Sequence, residues 1–161
     1  MRKECTPSVV KRALVDDMSI LMPLIQERLD AGQSVQFYPR GVSMLPMLRQ
    51  DMDSVVISPI TRRLRRYDIV LYQRENGKYV LHRIIKVGET YTCIGDHQYT
   101  PEPELTHSQM LAVVTGFYRA ERFYKISNPG YHAYCILWHH TRALRKTYRR
   151  GMGWLRRKLK Q

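Results

Sequence analysis

The hydrophobic positions of this chain follow a helical period at both ends and a strand period in the middle. Between residues 8 and 31, apolar side chains recur at three- and four-residue spacing, which places them on one face of a helix. They are Val10, Leu14, Met18, Leu21 and Ile25. Gly32 is typical of a helix stop, and Pro23 predicts a kink or a restart inside the helix. We predict that this helix packs its apolar face on the rest of the protein.

Short strands replace the helical pattern between residues 34 and 118. The predicted strands cover residues 35–38, 53–58, 69–73, 79–87, 91–94 and 111–118. The Asn76-Gly77 pair between two of them is a strong hairpin signal. The stretch 96–107 contains two prolines and is predicted to be an irregular loop. Strands this close together, with no helices between them, predict a compact antiparallel β body, mainly β within an α+β fold.

The helical period returns after Asn128-Pro129-Gly130. Its repeating positions are Ala133, Leu137, His140, Leu144, Tyr148, Met152, Leu155 and Leu159. The basic residues predicted to lie opposite that stripe are Arg142, Lys146, Arg150 and Arg157. Gly151 and Gly153 are expected to divide the region into two amphipathic helices. The chain therefore divides into an N-terminal helical segment 1–34, a β domain 35–120 and a helical tail 121–161.

The distribution of charged residues also distinguishes the body of the chain from its tail. The 161 residues include 27 Lys and Arg and 14 Asp and Glu, and 43% of them are hydrophobic, a composition typical of a folded protein. Residues 1–121 hold 16 of the basic residues and all 14 acidic ones. Residues 122–161 hold the other 11 basic residues and no acidic one. A nearly neutral body thus carries a strongly basic tail.

Cysteine usage and hydropathy limit the class of protein. The three cysteines are widely spaced with no CxxC pair, which argues against a disulfide scaffold and a tetrahedral zinc site. We expect no metal and no cofactor. The stretch from Met18 to Ile25 contains a proline and is far shorter than the roughly 20 apolar residues of a membrane span. With no secretory signal, the sequence predicts a cytoplasmic protein, soluble or peripheral at a membrane surface.

The most informative polar residue is Ser43. It follows a predicted strand, two residues after Gly41 and three before Pro46. Glycine permits a tight backbone path and proline restricts the chain just beyond the hydroxyl, so the serine is rigidly mounted. Serines in such turns are usually simple turn residues, and this segment alone does not establish catalysis.

The segment Gly41-x-Ser43-Met44-x-Pro46-x-Leu48 resembles the nucleophile box of the signal peptidase and LexA-like serine peptidase clan. Three further segments are similar to later boxes of that clan, in the same order. They are Tyr67-Asp68-Ile69-Val70 for a "GDIV" strand, Tyr79–Ile85 for a "VVHRV" strand and Ile94-Gly95-Asp96-His97 for a "KGDNN" turn. The resemblance covers roughly residues 36–118 and is nearest the endoplasmic-reticulum and archaeal type of signal peptidase. Four boxes in order are far more specific than one.

The resemblance implies a catalytic triad. It assigns Ser43 as nucleophile, His82 as general base and Asp96 as the acid that orients the imidazole. A serine hydroxyl needs a neighbouring base to accept its proton, and a neutral histidine does this at physiological pH. Taken singly, a strand histidine is usually structural, and an aspartate after a glycine is usually a turn residue. As an ordered set with Ser43, they favour catalysis.

Other residues near these boxes fit the family pattern less well. Lys78 and Lys86 bracket the histidine strand and suggest a Ser-Lys dyad, but neither occupies the position of the base. Glu102 and Glu104 follow the turn without matching the spacing of a second acidic residue in this family, so neither is assigned. Tyr67 replaces the usual glycine of its box, which is a departure from the family pattern.

The implied function is a serine endopeptidase that cleaves leader or signal-like peptides. The alternatives are a catalytically inactive peptide- or membrane-binding module on the same fold, and a basic nucleic-acid-binding protein. The tail also has alternatives: its apolar stripe docks on the body, or it lies on an anionic membrane with Trp138 and Trp154 near the interface. Helical periodicity combined with tryptophan and leucine favours docking or lipid over nucleic acid.

Overall fold

The chain is described at residues 8–9 and 18–148 by a computed structural model, and there it forms a sheet with helices at both ends. The strands are β1 Ser8–Val9, β2 Val35–Phe37, β3 Ser54–Ser58, β4 Ile69–Gln73, β5 Tyr79–Val87, β6 Tyr91–Ile94, β7 Glu102–Leu105, β8 Met110–Arg119 and β9 Arg122–Lys125. The helices are α1 Met18–Asp30, α2 Pro129–His140, a short 3₁₀ helix His107–Gln109 and a helical stretch at 142–148. The predicted mainly β, α+β fold class is confirmed.

The strands form one sheet in the order β1-β2-β3-β8-β4-β5-β6-β7, and β9 adds a further pairing to β8. Among the described strands, only the β1–β2 pair is parallel. The long strand β8 connects the two halves because it pairs with both β3 and β4. The predicted antiparallel body is therefore present, with β7 at one edge and β1 at the other.

Both faces of the sheet are covered by apolar side chains. On β4, Ile69 and Leu71 belong to one buried cluster, whereas Val70 and Tyr72 belong to another. Because neighbouring residues of a strand point to opposite faces, the two clusters lie on opposite sides of the sheet. Burial on both faces explains why strands such as β3 and β4 are almost continuously apolar in sequence.

Helix α1 covers the first of these faces with Met22, Ile25 and Leu29, each at most 4% exposed. It ends as the sequence predicts: Gly32 has a φ of 73° and its N–H donates to Leu29 O at 2.9 Å. The helix runs through Pro23 without interruption.

The start of the N-terminal helix is predicted wrongly. Ser8 and Val9 are in strand β1, paired in parallel with Val35 and Gln36 at the edge of β2. An open sheet edge supplies backbone partners that compete with the local preference for helix. The predicted helical positions Val10 and Leu14 lie outside the described residues.

All six predicted strands are present, but β7 and β9 were not predicted. Strand β7 was hidden in the predicted loop 96–107 by its prolines, which an edge strand tolerates because it pairs on one side only. Strand β9 was assigned to the tail because the turn before it lacks glycine and asparagine. Ala120 and Glu121 nevertheless adopt φ values of 47° and 64°, the conformation of a tight hairpin turn.

Helix α2 packs on the body, but not through the stripe that the sequence suggested. Its buried or half-buried side chains are Tyr131, Tyr134, Cys135, Trp138 and His139. The repeating positions noted in the sequence are exposed where the structure describes them: Ala133, Leu137, His140, Leu144 and Tyr148. Docking of that stripe on the body is therefore wrong for these residues. The later tail positions, from Arg150 and Gly151 to Leu159, and Trp154 with them, lie outside the described residues.

A buried ion pair attaches α2 to the sheet. The Arg83 guanidinium on β5 donates to both carboxylate oxygens of Asp96, at 2.8 and 2.7 Å. It also donates to Tyr131 Oη at 2.8 Å and to Cys135 Sγ at 3.0 Å, both on α2. Burial would lower the pKa of Arg83, but Asp96 more than offsets this and raises it. The guanidinium is thus charged and fully partnered inside the protein.

We expect Asp96→Asn to lower the free energy of unfolding by about 3–5 kcal/mol, because it leaves the buried Arg83 charge uncompensated. Urea unfolding at neutral pH measures the loss. Asp30→Asn is the matched control, since Asp30 is exposed at the end of α1 and its substitution should cost less than about 0.5 kcal/mol. Equal stabilities of the two variants would contradict a structural role for the buried pair.

Candidate active site

The loop after β2 carries Ser43 in a turn held by backbone and side-chain contacts. Gly41 has a φ of 92°, a conformation that disfavours other residues, and its N–H donates to Gln50 Oε1 at 2.9 Å. Beyond the serine, Leu48 N–H donates to Met44 O at 2.9 Å. Arg49 and Asp53 then close the loop with hydrogen bonds of 2.8–3.1 Å. The sequence prediction of a rigid mounting agrees with this geometry.

The side chains of Ser43 and His82 converge on one point beside Gly95. A methyl group on Gly95 would lie 3.0 Å from Ser43 Cβ and 3.1 Å from His82 Nε2. It would also lie 2.6 Å from Ser43 O, which is closer than atoms of a real side chain approach. Glycine is therefore required at position 95 for the serine loop to reach the histidine. His97 N–H holds the same carbonyl, Ser43 O, at 2.8 Å.

The other nitrogen of His82 faces a carboxylate that the sequence did not assign. His82 Nδ1 lies 3.3 Å from Glu102 Oε1 and 3.1 Å from Tyr72 Oη. Tyr72 in turn donates to Glu102 Oε2 at 2.8 Å. The Arg74 guanidinium binds both oxygens of Glu102, with a separation of 2.8 Å between Nε and Oε2. Glu102 is thus oriented from three sides.

Strand register brings these residues together. His82 on β5 lies opposite Val70 on β4, so it shares a sheet face with Val70 and Tyr72. Across the next two pairings, Cys93 on β6 lies opposite Glu102 on β7. The histidine, the tyrosine and the glutamate therefore project from three strands onto one face.

The hydrogen-bond network determines the tautomer of His82. Tyr72 has one hydroxyl proton and donates it to Glu102, so Nδ1 faces two oxygen acceptors. Nδ1 consequently carries the imidazole proton, and the lone pair is on Nε2, the nitrogen beside Gly95 on the side of Ser43. This is the tautomer in which the ring can accept a proton from a serine hydroxyl.

Burial keeps the imidazole neutral. His82 is 1% exposed, and its burial lowers the pKa of the ring to about 4, although the charge of Glu102 opposes this shift. Burial also disfavours the charged form of Glu102, but hydrogen bonds from Arg74 and Tyr72 outweigh it and hold the pKa of this carboxyl below its usual value. The site therefore pairs a neutral base with an ionised carboxylate at neutral pH.

Asp96, the orienting acid in the predicted triad, occupies a different place. Both of its carboxylate oxygens accept from Arg83, and the carboxylate within reach of His82 Nδ1 is that of Glu102. The reason is the alternation of β5: His82 and Arg83 are adjacent, so they point to opposite faces, and Asp96 pairs with the arginine. The structure thus brings together Ser43 and His82, and puts Asp96 in the ion pair that attaches α2.

A cleft of about 220 Å³ opens at Ser43 and His82. Its apolar wall consists of Met44, Leu48 and Leu81, and Arg40 and Arg74 line its polar side. The volume is suited to one small or medium side chain of a bound ligand, with the serine and histidine among the lining residues. Lys78 does not line this cleft, and neither does Lys86.

The residues that sequence reasoning missed are Glu102, Tyr72 and Arg74. Glu102 is unassigned in the sequence because its spacing after the Gly95-Asp96 turn does not match that of a second acidic residue in the family. Tyr72 and Arg74 lie two residues apart on and just after β4, a spacing that places both on the face of Val70. The alternation of side chains along β4 could have indicated that the two residues share a face, but it does not identify Glu102 as their partner across the sheet.

No protein-family model matches this sequence, and a search of the curated proteins finds no match. Within residues 8–9 and 18–148, no group of histidine, cysteine and acidic side chains is arranged to hold a metal ion. None of the helices in that part of the chain has the length and apolar character needed to cross a membrane.

The buried neutral histidine predicts how stability depends on pH. The unfolded chain binds a proton at His82 near pH 6.5, whereas the folded protein does so only near pH 4. Stability from this residue is therefore complete above pH 6.5 and is lost as the pH falls toward 4. Between pH 7 and pH 5, we expect the free energy of unfolding of the parent, measured with urea, to fall by up to about 2 kcal/mol more than that of His82→Gln. Equal losses would contradict the buried neutral state.

Proposed function

We propose that this protein is a serine endopeptidase in which Ser43 is the nucleophile, His82 is the general base and Glu102 orients and charge-stabilises the imidazole. The observation that carries the proposal is the approach of Ser43 and His82 Nε2 to the same point beside Gly95, with a carboxylate on the opposite nitrogen. A nucleophile, a base within reach and a third group that orients the base are the recurring parts of serine hydrolases.

The reaction follows from the positions of the protons. Ser43 Oγ forms a bond to the carbonyl carbon of the scissile peptide while its proton passes to His82 Nε2. The imidazolium that results is stabilised by the ionised Glu102. The C–N bond then breaks, the leaving amine takes the proton from Nε2, and the acyl group remains on Ser43. A water molecule then forms a bond from its oxygen to the acyl carbon and gives a proton to the same nitrogen. The C–Oγ bond breaks and Oγ takes that proton back, which releases the acid and restores the serine.

The order of sequence motifs supports the same class of reaction. The four boxes that resemble the signal peptidase and LexA-like clan include Ser43, His82 and the Gly95-Asp96 turn, and these three lie side by side in the fold. The proposal departs from the triad expected at first in one residue, because Glu102 replaces Asp96 as the orienting acid. Asp96 then serves the fold, by holding Arg83.

The cleft is consistent with a peptide whose side chain next to the cut is small. Its volume of about 220 Å³ suits a small or medium side chain, and its lining combines an apolar wall with a polar side. Leader or signal-like peptides with small residues before the cut are the substrates that the resemblance implies. We propose this substrate class on both grounds.

The nucleophile is tested with a fluorophosphonate probe, which forms a covalent bond only with an activated serine. We expect the parent protein to be labelled and Ser43→Ala to lose the label, because the hydroxyl that reacts is absent. Labelled protein is measured by intact mass. Ser127→Ala, which removes an exposed serine far along the chain, is the matched control and should label at the parental rate.

Two results would contradict the proposal. Labelling of Ser43→Ala equal to that of the parent would show that the reactive serine is another one. No labelling of a folded parent would favour the alternative of an inactive peptide- or membrane-binding module on this fold.

The orienting acid is tested by comparing two glutamates on the same strand. We expect Glu102→Gln to lower the second-order labelling rate on the order of 100-fold, because the uncharged amide no longer stabilises the imidazolium. Glu104→Gln removes an exposed carboxylate two residues away and should stay within about twofold of the parent. Equal rates for the two variants would show that Glu102 has no part in activating Ser43.

A further inference from the structure

The outer face of the C-terminal helices carries large apolar side chains that no element within residues 8–9 and 18–148 covers. Leu137 is 66% exposed, Leu144 is 69% exposed and Tyr148 is 70% exposed. They are separated by seven and four residues, so they form one stripe, which we call the outer stripe. The opposite face of α2, with Tyr131 and Cys135, is already occupied by the body. The stripe is therefore not part of the protein core.

The charge around the outer stripe has one sign. Residues 122–161 include 11 basic residues and no acidic one. Within the helical stretch 142–148, Lys146 is exposed, whereas Arg142 and Arg145 are half-buried and Arg145 donates to Trp138 O on the inner side of α2. Positive charge beside a continuous apolar stripe is the pattern of helices that lie in the interface of anionic lipid bilayers.

We propose that the outer stripe docks on the surface of an anionic lipid bilayer, with Leu137, Leu144 and Tyr148 inserted at the level of the headgroups. A second copy of the chain is a poorer occupant, because a symmetric contact would bring two strongly basic tails together. Nucleic acid is a poorer occupant as well, because phosphates match the basic residues and leave the apolar side chains in water. A bilayer accommodates the basic residues at its anionic headgroups and the apolar side chains at the same surface.

The inner side of α2 contacts the loop that borders the candidate active site. Trp138, on the inner side of α2, donates to Asp96 O at 3.0 Å. Gln98, two residues after Asp96, lines the cleft that contains Ser43. Docking through the outer stripe therefore brings the loop beside the cleft near the lipid surface, although the binding itself does not depend on catalysis.

The experiment measures sedimentation of the full chain with vesicles of phosphatidylcholine alone or with 30% phosphatidylglycerol. We expect binding to the anionic vesicles that weakens in 0.5 M NaCl, because lipid charge attracts the basic tail. Leu137→Gln combined with Leu144→Gln should lower the partition coefficient by about tenfold or more, since two apolar side chains no longer insert. Leu144→Gln with Tyr148→Gln should give a similar fall.

Ile20→Gln is the matched control, because Ile20 on α1 is also 66% exposed but lies outside the stripe. It should bind anionic vesicles as the parent does. Three results would overturn the proposal: no sedimentation of the parent, equal binding of the stripe variants and the parent, or an equal fall for Ile20→Gln. Salt-sensitive retention by duplex DNA with no vesicle binding would identify nucleic acid as the partner and would also overturn it.

Discussion

The buried pair of Arg83 and Asp96 is the interaction on which the arrangement of the other parts depends. Its side chains are 2% and 0% exposed, so the two charges are stable there only because each compensates the other. The same guanidinium donates to Tyr131 on α2 and to Met47 Sδ in the loop that carries the serine. One arginine thus joins β5, the turn after β6, the C-terminal helix and the nucleophile loop. The precise placement of Ser43 relies on a charge pair that has no direct contact with the reacting atoms.

The candidate site balances two opposing electrostatic effects on one imidazole. Burial of His82 lowers its pKa to about 4, which keeps the ring neutral and able to accept a proton. Burial alone would also make the ring a weak base, because the imidazolium would be formed in an apolar environment. Glu102 counteracts this effect, and Arg74 and Tyr72 hold it ionised and in place. The proposed chemistry therefore depends on residues from β4 and β7 as much as on the serine and the histidine.

The period of the hydrophobic pattern was sufficient to predict the strands that are bounded by ordinary turns, and the antiparallel body that they form. Motif order led to Ser43 and His82, which the fold brings together. Where the prediction of the site differs from the geometry, the cause is cross-strand pairing. The position of Glu102 depends on an edge strand that its prolines disguised, and the partner of Asp96 depends on which face Arg83 occupies. Neither property is local in sequence. The exposed side of α2 was also misassigned, because a helical period does not indicate which of two apolar faces the body covers.

Because His82 and Arg83 are adjacent on β5, the register of this strand relative to β4 cannot shift without loss of function. A slip of one residue relative to β4 would exchange the two faces, so that a guanidinium would enter the cleft and an imidazole would meet the carboxylate of Asp96. Activity and attachment of the C-terminal helix would then be lost together. The hairpin between β4 and β5 should for this reason tolerate changes of residue type at its tip far better than any single insertion or deletion within the strand itself.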